Sequence, residues 1–415
     1  MDVVVERPGA LDVHKASVTA CVRVPVERGP REEHVAQFST TVRGLLGLRD
    51  WLAAHRVWQV AMEATGVYWK PVWAILEDDF ELILVNARHV KQVPGRKTDV
   101  SDAAWLCQLA EAGLLRASLV PPKPIRDLRD LTRYRKAQIR DRQREANRLH
   151  KVMQDTGIKL DSVATDLLGK SGRAMLDALV AGTTDPEALE GRFSAKHALI
   201  VGQILAHMDF LDEAIDRLSG AIEEQLGTFG RQQVQLLCTI PAIQRRAAEV
   251  IIAETGGDMT KFPTAGHLAS WAGVCPGNDE SAGKRRSGRT RKGSKWLRQT
   301  LTESAKAAAR TKDTYLAAQY HRMRARRGAN RATTAVAHSI LTAAWHMLQT
   351  GETYTDPGGD YFVRRDPERA TKRLVAQLER LGHTVTLQEA VLRLSPTGIF
   401  SGSSLIRMGS VCRRS

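Results

Sequence analysis

The placement of four carboxylates near the N-terminus constrains this chain more than any other feature. Asp12 lies in ALDVHK and Glu63 in AMEATG, and each closes an apolar, β-rich run. Asp99 and Asp102 follow in GRKTDVSDA, where a helical pattern of apolar residues begins. A charge at the end of an apolar strand is costly unless it has a purpose. We therefore expect these carboxylates to converge at one end of a β-sheet.

Such a cluster needs a cation, because carboxylates that share a site repel one another. Hard divalent ions prefer oxygen ligands, and two ions about 3.5–4 Å apart can stabilise the attacking and leaving oxygens of a phosphodiester. The sequence therefore predicts a site for Mg²⁺ or Mn²⁺ that acts on nucleic acid. The predicted metal ligands, which are also the predicted catalytic acids, are Asp12, Glu63, Asp99 and Asp102.

The segment TDVSD also has a simpler explanation. A spacing of three places Asp99 and Asp102 on one face of a helix, Thr98 is a plausible N-cap, and acids in a first turn are favoured by the helix dipole. Taken alone, the segment is better explained as a helix start. Asp12 and Glu63 shift the balance, since acids on a strand, at a strand end and on a helix together are typical of RNase H-like and RuvC-like nucleases.

Alternating strand-like and helical patterns predict an α/β domain up to Pro121, where a run of prolines marks a boundary. Strands are expected at residues 10–13, 17–24, 35–39, 58–62 and 81–85. Helices are expected at residues 45–54, 68–76 and 99–112.

Two long helices are predicted next, over residues 125–153 and 195–226, with a polar, Gly-containing connector at 169–191. They could pair antiparallel as a coiled-coil arm. Basic residues far outnumber acids on the first helix, which predicts nucleic-acid binding through Arg140, Arg142 and Arg144. The alternative is a solvated face with ion pairs four residues apart.

The remainder is predicted to be mainly helical, with a short helix near residues 367–381 and a Ser/Gly-rich end that is expected to be disordered. The predicted division is therefore an RNase H/RuvC-like α/β domain, a helical coiled-coil arm, a mainly α C-terminal domain and a partly disordered tail. Their bounds are 1–122, 123–235, 236–350 and 351–415.

A basic, glycine-containing segment, GVCPGNDESAGKRRSGRTRKGSKWLR, interrupts the C-terminal helices. Its glycines at 283, 288 and 293 would let the backbone approach phosphates. It is not a P-loop, because five residues rather than four separate Gly277 from Gly283. The predicted phosphate-binding cations are Lys284, Arg285, Arg286, Arg289, Arg291, Lys292, Lys295 and Arg298.

Ser281 stands directly before these cations and could be the nucleophile of a covalent step, with Ser287 as the second choice. Loop serines more often serve turns or caps, so the chemistry alone does not decide. Upstream, TIPAIQRRA is a weak match to a helix-hairpin-helix, with Ala242 and Gln244 in place of the usual glycines. A simple helix start at Pro241 is the preferred explanation.

Net charge favours a polyanionic partner, because Lys and Arg number 61 against 46 Asp and Glu, a formal charge of +15. No apolar run approaches the ~20 residues of a spanning helix, and Glu6 and Pro8 interrupt any N-terminal signal. A cytoplasmic, nucleoid-associated prokaryotic protein without membrane contact is expected. The five widely spaced cysteines form no zinc-binding pattern.

Several blocks resemble, in order, the DEDD-type insertion-sequence transposases, described as bridge-RNA-guided serine recombinases. They are ALDVHK, MEATGVYW, VNARHVKQVPGRKTDVSDA, LCTIPAI, LASWAGVCPGNDESAGK, RRSGRTRKGSKWLR and AVAHSIL. The resemblance runs from about residue 10 to 385, and it is specific because independent blocks agree.

The resemblance implies a RuvC-like domain, a coiled-coil arm and a C-terminal transposase domain that carries a nucleophilic serine. Asp12, Glu63, Asp99 and Asp102 match the family's metal-binding acids, and Ser281 in SAGK matches the serine that becomes linked to DNA. It further implies a dimer or tetramer, with the acids of one subunit joined to the serine of another. An element-encoded guide RNA would pair with the element ends and the target DNA.

Two other functions stay open. The first is a RuvC-like structure-specific endonuclease that hydrolyses junctions, in which Ser281 would be structural. The second is a non-catalytic nucleic-acid-binding protein whose acids are relics. The complete set of four acids disfavours the second, and the basic segment behind Ser281 disfavours the first.

Overall fold

The computed structural model of the protein divides into two units. It describes residues 3–27, 29–63, 66–87, 90, 101–157, 167–182, 193–277, 279–281, 283–288, 290 and 292–387. Unit 1 comprises Met1–Arg231 with Ile252–Gly256, and unit 2 comprises Gln232–Ile251 with Gly257–Ser415. The predicted division into three domains and a tail stays a prediction. None of the helices in the described ranges combines the length and apolar character that crossing a bilayer requires.

Unit 1 begins with a mixed five-stranded sheet in the order β3-β2-β1-β4-β5. The strands are β1 (Pro8–Val13), β2 (Ser17–Val24), β3 (Glu32–Ser39), β4 (Gln59–Glu63) and β5 (Glu81–Val85). The first three strands are antiparallel neighbours, whereas β4 is parallel to β1 and β5 is parallel to β4. All five predicted strands are confirmed, with small shifts at their ends.

Helices cover both faces of the sheet, as the predicted α/β layering requires. They are α1 (Val42–Ala54), α2 (Trp69–Leu76) and α3 (Asp102–Glu111). The first face packs its Leu and Val side chains in one core with those of α1 and α2. The second face is lined by small residues such as Ala10 and Ala61, which let α3 pack closely on the sheet.

The predicted helix start at Asp99 is wrong. Ser101 is the N-cap of α3: its backbone is extended (ψ 152°) and its hydroxyl accepts a hydrogen bond from the Ala104 N–H. The cap is therefore not Thr98. Asp99 itself lies outside the described residues.

Three helices follow, α4 (Lys123–Thr156), α5 (Lys170–Val180) and α6 (Ala195–Leu237), all in unit 1 except for the end of α6 from Gln232, which falls in unit 2. Both predicted long helices are confirmed, and Gly227 interrupts α6 with a non-helical backbone (φ 57°) one residue after the predicted end. The prediction of a connector alone at 169–191 is wrong, because α5 occupies part of it. Leu176 and Leu179 of α5 are buried in a core shared with α4 and α6.

Three contacts show that α4 and α6 run antiparallel. Arg142 pairs with Asp212, Arg135 Nη1 donates to Ser219 Oγ at 3.3 Å, and Gln225 Nε2 donates to the Pro124 carbonyl at 3.1 Å. Residue numbers fall along one helix as they rise along the other. The predicted antiparallel pairing of the two helices is thus confirmed, whereas its coiled-coil character stays a prediction.

Unit 2 is mostly helical, as predicted. Its helices are α7 (Arg245–Thr255, whose last residues fall in unit 1), α8 (Ala265–Ala272), α9 (Lys295–Ala308), α10 (Tyr315–Arg327), α11 (Ala329–Thr350), α12 (Tyr361–Arg364) and α13 (Pro367–Arg380). A two-stranded hairpin, β6 (Asp279–Ser281) with β7 (Lys284–Ser287), lies within the basic segment. The strands of this hairpin were not predicted.

The predicted helix start at Pro241 is also wrong, since α7 begins at Arg245. Ala242 in the preceding turn has a φ of 68°, a left-handed conformation that favours glycine. This is one of the two positions where the helix-hairpin-helix pattern expects glycine. Ile240 and Ile243 flank it and are buried, which holds the turn in place.

Candidate functional site

Asp12 and Glu63 lie at the carboxyl ends of two neighbouring parallel strands. The last register pair of β1 and β4 is Leu11 with Met62, and the two acids are the next residues of their strands. Because side chains alternate between faces, each acid shares a face with the residue two before it, Ala10 or Ala61. The two acids therefore lie side by side on the face that α3 covers.

Helix α3 brings Asp102 toward the same end of the sheet. At the helix C-terminus, the Glu111 carbonyl accepts hydrogen bonds from the N–H groups of Val4 and Val5, which precede β1. Further along, Cys107 Sγ donates to the Pro8 carbonyl at 3.3 Å. The helix thus runs opposite to β1, and its N-terminal residue Asp102 faces the carboxyl end of that strand. Three of the four predicted acids are on one face at one end of the sheet.

His14 lies next to the Asp12 carboxylate. Its Nε2 lies 3.1 Å from Asp12 Oδ2, with the His14 side chain 62% exposed and the Asp12 side chain 23% exposed. The Asp12 carboxylate is thus open to solvent and to a ligand, while its neighbours on β1, Leu11 and Val13, are fully buried. A partly exposed carboxylate at a strand end can exchange its partner for a cation.

The donor chemistry of these acids suits a hard cation, since carboxylate oxygens are the ligands of Mg²⁺ and Mn²⁺. Within the described ranges, however, no group of three or more His, Cys, Asp or Glu side chains is gathered closely enough to hold a metal ion. Asp99 lies outside the described residues. The carboxylate chemistry of Asp12, Glu63 and Asp102 suits a divalent ion, whereas their spacing in the described residues does not form a metal site, and the ligand set stays a prediction.

Ser281 is the last residue of β6 and the register partner of Lys284, the first residue of β7. Two residues join the strands, and Gly283 has a φ of 73°, as a tight hairpin connection requires. The same hairpin pairs Glu280 with Arg285. The fold therefore presents the backbone of Ser281 at a tight turn, directly before the basic run.

The backbone of Gly293 packs closely against the backbone at the end of α8. A Cβ on Gly293 would lie 2.3 Å from the carbonyl carbon and oxygen of Ala272, at the end of α8. The glycine thus permits a close approach of backbone to backbone, and the predicted approach of its backbone to a phosphate stays a prediction. Arg289 and Arg291 lie outside the described residues.

Helix α9 extends the basic surface beyond the predicted residues. Its N-cap is Ser294, whose hydroxyl accepts from the Leu297 N–H. The predicted residues Lys295 and Arg298 are exposed, and Lys295 Nζ lies 5.3 Å from the centre of the Trp296 ring. Together with Lys306, which sequence reasoning missed, they line a shallow concavity to which Glu303 also contributes. The helical spacing of these three cations is the signal that could have identified the third.

The predicted nucleic-acid-binding arginines of α4 occupy different environments. Arg142 pairs with Asp212 of α6, Arg144 pairs with Asp141 of its own helix, and Arg140 is exposed. Arg142 thus has a structural partner within the protein. Binding through these three residues stays a prediction.

Comparison with known families gives two matches. The DEDD transposase family of the IS110 type, described as a transposase, matches residues 10–158. The transposase IS116/IS110/IS902 family matches residues 234–322. A search of curated proteins found no match. The first match spans the sheet with its acids and the second spans the hairpin with Ser281, and the chain therefore belongs to the IS110-type transposases.

Proposed function

We propose that this transposase cuts and rejoins DNA with Ser281 as its nucleophile and with a divalent metal held by its acids. The proposed ligands are Asp12, Glu63, Asp99 and Asp102. The observation that carries the proposal is the β6–β7 hairpin (Asp279–Ser281 with Lys284–Ser287), in which Ser281 is the register partner of Lys284, the first cation of a basic run, across a tight turn. Membership of the transposase family supplies DNA as the substrate.

In the proposed reaction the Ser281 oxygen attacks the phosphorus of a DNA phosphodiester. An oxygen–phosphorus bond to serine forms as the bond to one DNA oxygen breaks. The serine proton passes to solvent, and the departing DNA oxygen takes up a proton. A hydroxyl group of the strand to be joined then attacks the phosphoserine linkage and releases the serine. One phosphodiester replaces another, so no external energy source is needed.

The cations near Ser281 have a defined role in this scheme. Lys284, Arg285 and Arg286 would bind the phosphate and offset the negative charge that develops in the transition state. The divalent metal, when bound by the four acids, supplies Lewis-acid polarisation of a phosphate oxygen. The acids themselves would keep that ion at the carboxyl end of β1 and β4.

Three further features belong to the proposal. The N-terminal domain is RuvC-like, which the mixed sheet and the three acids at one of its ends support. An element-encoded RNA guides the protein to element ends and target, and the net charge of +15 supports binding to such polyanions. The active assembly is a dimer or tetramer, as the family resemblance implies.

The decisive experiment traps the covalent intermediate. Ser281→Ala and Ser287→Ala are prepared as a matched pair, since both serines lie in the same hairpin. Each protein reacts with labelled DNA in Mg²⁺, is quenched in denaturant and digested, and the DNA-linked peptide is located by mass spectrometry. We expect the adduct on Ser281 in the wild type and in Ser287→Ala, and no adduct in Ser281→Ala.

Two results would reject the serine assignment. One is an adduct on another residue. The other is unchanged strand joining by Ser281→Ala. Cleavage without joining by Ser281→Ala would instead favour the RuvC-like endonuclease, in which water is the nucleophile and the serine is structural.

A further inference from the structure

We propose that the turn between α10 (Tyr315–Arg327) and α11 (Ala329–Thr350) is a separate surface for the phosphate backbone of duplex DNA. We call it the arginine tip. It contains five arginines at the end of one helix and the start of the next, namely Arg322, Arg324, Arg326, Arg327 and Arg331. It lies outside the basic segment of residues 284–298, and the serine mechanism does not use it.

The tip is strongly cationic because acids are missing around it. No Asp or Glu occurs between Asp313 and Glu352, and all five arginines of the tip are exposed. A solvated helix surface normally carries both signs of charge, which pair three or four residues apart. A stretch with arginine as its only charged residue type, presented entirely to solvent, is instead suited to a polyanion.

The helix dipole explains only part of this cluster. Arg324, Arg326 and Arg327 lie in the last turn of α10, where the dipole favours cations. Arg331, however, lies in the first turn of α11, where the positive end of the dipole disfavours a cation. A residue that is unfavourable for its own helix is better explained by a ligand.

The guanidinium groups of the tip are available for a ligand. Those of Arg324, Arg326, Arg327 and Arg331 make no hydrogen bond or ion pair with other described residues. This contrasts with α4 (Lys123–Thr156), where Arg142 pairs with an acid of the neighbouring helix. The arginines of the tip are therefore not committed to holding the fold together.

Arg322 is held in place at the base of the tip. Its guanidinium lies 4.9 Å from the centre of the Phe362 ring, and Phe362 stacks on Tyr315 with centroids 5.3 Å apart and an interplanar angle of 23°. Stacking on an aromatic ring reduces the freedom of the side chain before a ligand arrives. One cation of the surface is thus preorganised, which lowers the entropic cost of binding.

Spacing agrees with a phosphate backbone. Arg322 and Arg326 are four residues apart on one helix face, about 6 Å along the axis. Phosphates of one strand recur about every 3.4 Å along the duplex axis. Neighbouring guanidiniums can therefore reach phosphates of one strand without reading bases. The assignment to DNA rests on the proposed function, in which DNA is the substrate.

The test measures DNA binding without cleavage. The full chain carries Ser281→Ala throughout, so that the duplex stays intact, and its Kd for a DNA duplex is measured over a series of KCl concentrations. Arg324, Arg326 and Arg327 are replaced together by Ala. We expect the slope of log K against log salt to become shallower by about 2–3, since each lost phosphate contact contributes about 0.9.

A matched control removes the same charge elsewhere in unit 2. Arg369, Lys372 and Arg373 are exposed on α13 (Pro367–Arg380), where Glu368 and Glu379 lie among them. Their replacement by Ala should leave the slope unchanged. The three tip arginines replaced by Lys should also keep the wild-type slope, because Lys preserves the charge. If the triple Ala variant fails to fold, Arg331→Ala alone gives the reading, with a slope that is expected to become shallower by about 0.9 and whose constancy would overturn the proposal.

An unchanged slope of log K against log salt in the folded Ala variant of the tip would overturn the proposal. So would an equally shallow slope in the α13 control, or a shallower slope in the Lys variant. The same series with an RNA duplex distinguishes the ligands: a loss confined to RNA would overturn the assignment to DNA. Because no strand is cut here, failure of the Ser281 adduct experiment leaves this result independent.

Discussion

Arg133 and Glu254 form a two-point ion pair in unit 1, with Arg133 Nε and Nη2 lying 2.8 and 2.9 Å from the two carboxylate oxygens. The Glu254 side chain is only 2% exposed, whereas that of Arg133 is 33% exposed. One turn earlier on α4, Arg129 donates to the carbonyls of Ala253 and Glu254. Burial lowers the pKa of Arg129 to about 10, so it remains charged at neutral pH. Two arginines thus hold the last turn of α7.

Replacing Arg133 by Met should lower the free energy of unfolding by about 3 kcal/mol, because it leaves a buried carboxylate without this partner. Glu254→Gln should cost less, since the freed Arg133 can be hydrated. Urea denaturation followed by tryptophan fluorescence measures both. The control is Arg217→Met, which removes an exposed pair with Glu213 and should cost no more than about 0.5 kcal/mol. Equal losses for Arg133→Met and the control would contradict the argument.

This pair shows what the sequence could not predict about the long basic helix. The excess of arginines on α4 predicted a nucleic-acid surface, yet several of them have partners within the protein. Arg126 pairs with Glu77, and Arg133 pairs with a residue more than a hundred positions away. Charge counts along one helix cannot reveal partners that only the tertiary fold supplies.

The sheet and its acids, unlike the ion pairs of α4, were predictable because their sequence signals are local. Apolar runs and alternation set the strands, and Asp12 and Glu63 end such runs. Asp102 was placed on the correct helix. The start of that helix was predicted wrongly because the sequence pattern did not identify Ser101 as its N-cap. The hairpin around Ser281 escaped prediction because KRRS carries no apolar alternation. The arginine tip was missed although its acid-free stretch is visible in the sequence.

Lowering the pH should weaken the contact of Arg126 on α4 with Glu77. Arg126 Nη2 donates to Glu77 Oε1 at 2.6 Å, and Trp73 Nε1 donates to Glu77 Oε2 at 2.9 Å. The hydrogen bond from Arg126 is the main reason why the pKa of Glu77 is lowered. A carboxyl whose pKa is lower in the folded state stabilises the fold above its unfolded pKa of about 4.3, and this contribution is lost as pH falls through the folded pKa.

Glu77→Gln should therefore be less stable than the wild type by about 1–2 kcal/mol at pH 7. The difference should shrink as the pH falls below about 4. Thermal unfolding of both proteins between pH 7 and pH 3 measures this difference, with Asp78→Asn as the control for an exposed neighbouring acid. A difference that stays constant over this range would show that packing, rather than charge, causes the loss.

The last prediction concerns the acids at the carboxyl end of β1 and β4. Asp12→Asn, Glu63→Gln and Asp102→Asn should each abolish DNA cleavage in Mg²⁺ and weaken Mn²⁺ binding measured by electron paramagnetic resonance, because an amide is a poorer ligand than a carboxylate. Glu81→Gln is the matched control, since Glu81 is exposed at the opposite, amino-terminal end of β5. Its cleavage and metal binding should not change.

DNA affinity separates a lost metal from a lost fold. If the acids hold metal while the basic surfaces hold phosphate, the three variants should bind duplex DNA at least as well as the wild type, because each removes a negative charge from a basic protein. Their affinity and thermal unfolding are measured beside the cleavage assay. Undiminished cutting by all three variants, or unchanged Mn²⁺ binding, would remove the metal site from the mechanism and leave these carboxylates with a structural role at the strand ends.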